Sequence, residues 1–63
     1  MTSEMLDKII AFEQGELNDS ETLDLFQEMV NSGLVWELQG AYGRTAMIMI
    51  DNGWIKVPER MLQ

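Results

Sequence analysis

A chain of 63 residues with no cysteine and no histidine forms at most one small domain, supported by neither a disulfide nor the commonest zinc chemistry. Hydrophobic residues make up 46%, too many for a disordered segment, so efficient packing or self-association must stabilise the fold. The net charge of −7 is uneven: residues 1 to 33 carry Glu4, Asp7, Glu13, Glu16, Asp19, Glu21, Asp24 and Glu28 against Lys8 alone, while later acids and bases balance, which disfavours direct nucleic-acid binding and favours a partner with a basic surface.

Ser3 can cap a first helix over about 4–14, with Met5, Leu6, Ile9, Ile10 and Phe12 at helical apolar spacing and Gly15 as its stop. Asn18 followed three residues later by Glu21 is a capping-box pattern and predicts a second helix over about 19–31. Leu23, Phe26, Met29 and Val30 build its inner side, and Asn31, Ser32 and Gly33 end it.

From Leu34 the apolar pattern predicts one long third helix, about 35–52, with Asp51, Asn52 and Gly53 as its stop. At about 100° per residue, Leu34, Val35, Leu38, Ala41, Tyr42, Thr45 and Met49 fall on one face. Trp36, Gly43, Met47 and Ile50 fall on a second, and only Glu37, Arg44 and Asp51 form a polar stripe. Gly40 and Gly43 each cost about 1 kcal/mol relative to Ala in a helix. They point to the close approach of a neighbouring helix or of a partner's backbone. The tail, 54–63, is read as extended before Pro58, with Trp54 and Ile55 folding back on the last turn and a short strand over Trp54 to Val57 as the weaker alternative. The expected architecture is a single all-α unit of three helices.

Catalytic chemistry is sparse. Without His or Cys the available groups are carboxylates, Lys, Ser, Thr and Tyr, so no catalytic residue, cofactor or metal is expected. Glu21, Asp24 and Glu28 share one side of the second helix and read as a solvated face rather than a paired-acid site. Asn18 to Glu21 has the oxygen donors of a calcium loop but not its length or ordering glycine. Arg44 has no acid three or four residues away on its own helix. It is read either as an ion pair with an acid of another helix or of a second copy, or as a contact to an acidic partner. Met29 and Met49 suit the core and Met47 an interface; Trp36 and Trp54 would anchor an interface if exposed.

The segment Leu38 to Ala46, with Gly40, Tyr42, Gly43 and Arg44, followed by Ile50 to Ile55, resembles a signature of small, functionally uncharacterised bacteriophage proteins, as does the opening Met5 to Leu17. The resemblance implies a phage origin and no particular activity. Very small acidic phage proteins commonly act by binding a host protein, as anti-CRISPR and other anti-defence inhibitors do. The expected function is therefore that of an acidic binding protein in the cytoplasm of the infected host. It would engage a basic host surface through Asp19, Glu21, Asp24, Glu28 and Arg44, in its strongest form by nucleic-acid mimicry. No membrane contact is expected, and a homodimer is expected through Trp36, Gly40, Gly43, Met47 and Ile50. The alternatives are a small helix-turn-helix regulator, which the charge opposes, and a structural or assembly accessory protein.

Overall fold

The fold is seen in a computed structural model that describes residues 3–58. Three helices, α1 (Ser3–Glu13), α2 (Asp19–Ser32) and α3 (Gly40–Asp51), pack around one apolar core, and a 3-10 turn at Leu34–Trp36 links α2 to α3. No strand occurs among the described residues, so Trp54 to Val57 does not adopt the strand alternative. The tail residues 59–63 lie outside the described residues.

Both helix starts and stops follow from local chemistry. At α2 the capping box is complete: the Glu21 backbone N–H donates to Asn18 Oδ1 at 2.8 Å and the Asn18 N–H donates to Glu21 Oε1 at 3.0 Å. At the end of α3, Gly53 takes φ 73°, its N–H reaches Ile50 O at 3.0 Å and the Trp54 N–H reaches Met49 O at 2.9 Å. This Schellman stop needs a left-handed residue, which glycine supplies without a Cβ penalty. It turns the chain so that Ile55, only 4% exposed, enters the core, while Trp54 stays 58% exposed.

The expected long third helix is broken. Gln39, at φ −56° and ψ 150°, is extended, and α3 starts only at Gly40. Two forces favour the break. A continuous helix would hold Gly40 in its interior, at about 1 kcal/mol relative to Ala, whereas here it is the first residue of α3. A straight helix would also place Val35 roughly 16 Å along the axis from Ala46, whereas the folded-back turn brings both into the same core, each 0% exposed. The indole of Trp36 therefore lies on α3, where a Cβ added to Gly43 would meet its ring at 3.7 Å. That is an ordinary contact distance, so the ring covers Gly43 without requiring glycine.

Leu25, Phe26, Met29 and Val30 of α2 form the centre of the core, joined by Ile9, Val35, Ala46, Met49 and Ile55. One ring from each helix completes the packing: Phe12 meets Phe26 edge-on at 5.3 Å and Tyr42 lies within 6.1 Å of Phe26. The Tyr42 hydroxyl donates to Glu13 Oε1 at 2.9 Å, tying α3 to the end of α1. The tail is held by Gln27, whose side chain donates to Lys56 O at 2.7 Å and accepts from the Lys56 N–H at 2.8 Å. That amide pairs with an extended backbone as a neighbouring strand would, using both its donor and its acceptor. Leu6 and Ile10, expected in the inner pattern of α1, are instead about half exposed, at 47% and 46%.

Candidate functional site

The described residues bury no polar or charged side chain, and they contain no cluster of acids placed to hold a metal ion. Two outward surfaces hold most of the residues expected to meet a partner.

The first is the solvent side of α2. Glu21, Asp24 and Glu28, spaced at three and four residues, are all exposed and share this side as expected. Glu28 takes the Lys8 ammonium at 2.9 Å, the one salt bridge among the described residues. That hydrogen bond, with the charges of Glu28, Glu4 and Asp24, holds the Lys8 pKa above its usual value. Glu21 spends one oxygen on the capping box. Asp24 is exposed and makes no hydrogen bond among the described residues. Asp19 does not join this group. It lies instead on an open groove of about 320 Å³ with Thr22, Leu23, Met49 and Trp54.

The second surface is the outer side of α3. Ala46 and Met49 point inward; opposite them lie Gly40, Arg44, Met47, Ile48 and Asp51, all exposed. Met47 is 49% and Ile48 57% exposed. No described residue pairs with Arg44, so the expected ion pair with an acid of another helix is absent from this part of the chain. Arg44 is exposed on the side of α3 away from Ala46 and Met49.

The residues expected to mediate self-association are thus divided. Gly40 and Met47 lie on the outer face of α3. Ile50 does not: it is half-buried and packs against the core. Trp36 and Gly43 cover each other, leaving Trp36 46% exposed. Ala41 is exposed, yet it stays on the side expected for it, lining a groove with Phe12, Phe26, Tyr42 and Thr45. Ile48 belongs to the outer face and was assigned to neither face from sequence. Its spacing of four from Arg44 and three from Asp51 is the signal that identifies it once α3 is known to begin at Gly40.

The fold and surfaces define a small all-α unit whose features are surface features. The whole chain, residues 1–63, matches the family described as a domain of unknown function (DUF7417), and it belongs to that family. No curated protein and no solved structure matches it.

Proposed function

We propose that this protein is a non-enzymatic acidic binding protein of phage origin that inhibits or modulates a bacterial host protein through the solvent side of α2. One observation carries the reading: Glu21, Asp24 and Glu28 stand in a row on one helix, and among the described residues Lys8 alone pairs with one of them. Such a field attracts a basic surface and accelerates association with it. The host partner carries that basic surface, and a groove that otherwise holds phosphate is the strongest form of it, which makes an anti-defence inhibitor acting by nucleic-acid mimicry the leading version. The site of action is the host cytoplasm, and direct nucleic-acid contact by α2 is opposed by the same charge.

The test is affinity capture from a bacterial host lysate with the tagged wild type beside a variant carrying Asp24→Lys and Glu28→Gln. Both positions are exposed, so the variant keeps its fold. The reading expects a protein captured by the wild type, released by salt and lost with the variant. Equal capture by both forms overturns it. Salt-sensitive binding of mixed-sequence DNA by the wild type would overturn it in favour of a regulator.

A further inference from the structure

The outer face of α3 carries a pattern that is complementary to itself. Arg44, Met47, Ile48 and Asp51 follow one another at spacings of three, one and three residues, which places them in a single stripe along the helix. The stripe lies opposite Ala46 and Met49, so it points away from this chain's own core. Read from either end it gives a charge, two apolar residues, and a charge of the opposite sign. Turned through a two-fold axis passing between Met47 and Ile48, Arg44 falls opposite Asp51 and Met47 opposite Ile48.

We propose that α3 pairs antiparallel with α3 of a second copy of this chain, with Arg44 of each protomer facing Asp51 of the other across a centre of Met47 and Ile48. Three features favour this occupant over another. A parallel pairing would set Arg44 against Arg44. Neither charge has an ion-pair partner among the described residues of its own chain, and both are exposed. Asp51 is the last residue of α3, where a negative charge is disfavoured by its own helix dipole; the antiparallel arrangement moves it beside the positive end of the neighbouring helix. At the other end of the stripe, Gly40 keeps the surface thin. A Cβ at Gly40 would meet nothing within 4 Å, which leaves room for the neighbour's chain as it leaves its helix at Asn52 and Gly53. A helix of 12 residues offers only a small contact, so the pair forms reversibly in the micromolar range or weaker.

The inference is independent of the acidic-face reading, because it uses no residue of α2. Sedimentation equilibrium of the purified full chain at low salt, from micromolar to millimolar concentration, tests it. The wild type should rise to twice the chain mass. Arg44→Asp places two acids opposite each other and Asp51→Arg two bases; each alone should weaken association by at least about tenfold. An equimolar mixture of these two variants should regain association, because both contacts become opposite in sign in the mixed pair, and the doubly exchanged chain should regain it as well. Ile48→Glu should give monomer with unchanged helix content by circular dichroism. A wild type that stays monomeric, single variants that associate like the wild type, or a mixture that associates no better than its components would each overturn the proposal.

Discussion

α2 and α3 are helices of similar length, 14 and 12 residues, resting on the same core, and their outer sides are unlike. The solvent side of α2 is what an exposed helix needs: carboxylates, one of them held by Lys8, and a cap that satisfies its first turn. The outer side of α3 has Met47 and Ile48 about half exposed between single charges of opposite sign. Leaving such area wet forgoes roughly 25 cal/mol per Å², which matters where total stability is small. The difference separates two roles. The side of α2 meets its own needs with its cap and the Lys8 contact, and charge is what we propose it offers a partner, whereas the side of α3 would gain by being covered.

The sharpest way to break this division is to place one charge on each flank of α3. Ile50→Glu puts a carboxylate where the side chain packs against the core and should lower unfolding stability by about 1–3 kcal/mol, read from urea denaturation. Ile48→Glu, two residues earlier and outward, should change it by no more than about 0.5 kcal/mol when measured on the monomer. Equal losses would mean that the two sides of α3 are not distinguished.

On the flank of α2 the decisive contact is the Gln27 amide. Gln27→Ala removes both bonds to the Lys56 backbone and should cost about 1–2 kcal/mol. Amide hydrogen exchange at Lys56 should accelerate while exchange in the middle of α2 follows global stability only. Smaller still, Gly43→Ala should stabilise α3 by up to about 1 kcal/mol, because the added methyl meets the Trp36 ring at ordinary contact distance. A loss of stability there would mean that close approach of another backbone is what keeps the glycine.

The smallest effect belongs to Tyr42. Partial burial, and then the bond to Glu13, raise its pKa above the ordinary phenol value of about 10. A raised folded-state pKa stabilises the fold below the unfolded value, and the contribution disappears as pH climbs through the folded one. Because Tyr42 is the only tyrosine, ultraviolet absorbance of tyrosinate reports it alone. Its midpoint should lie above that of the urea-unfolded chain and fall toward it in Glu13→Gln.

How much of this was legible beforehand depended on whether a signal was local. The capping box of Asn18 and Glu21 and the glycine stops are short-range patterns, and they held. The phase of α3 did not. Fitting one helix through Leu34 to Asn52 averages the true helix with a turn that is not part of it, and the resulting error, a fraction of the roughly 100° step, moved Ile50 outward. It also hid the stripe from Arg44 to Asp51. The Gln27 clamp joins residues 29 apart, and no local pattern announces such a contact. The acids of α2 were grouped correctly where helical spacing decides, at Glu21, Asp24 and Glu28. Asp19 was not, since a residue five positions from Asp24 looks in a different direction.

The central claim is that α3 and α2 present surfaces for different partners. It is tested most directly by recording amide chemical shifts of the labelled protein over a dilution series. The account predicts concentration-dependent shifts confined to α3 and the turn that follows it, with the amides of Glu21, Asp24 and Glu28 unmoved. Shifts centred on α2, or spectra that do not change with concentration, would contradict it.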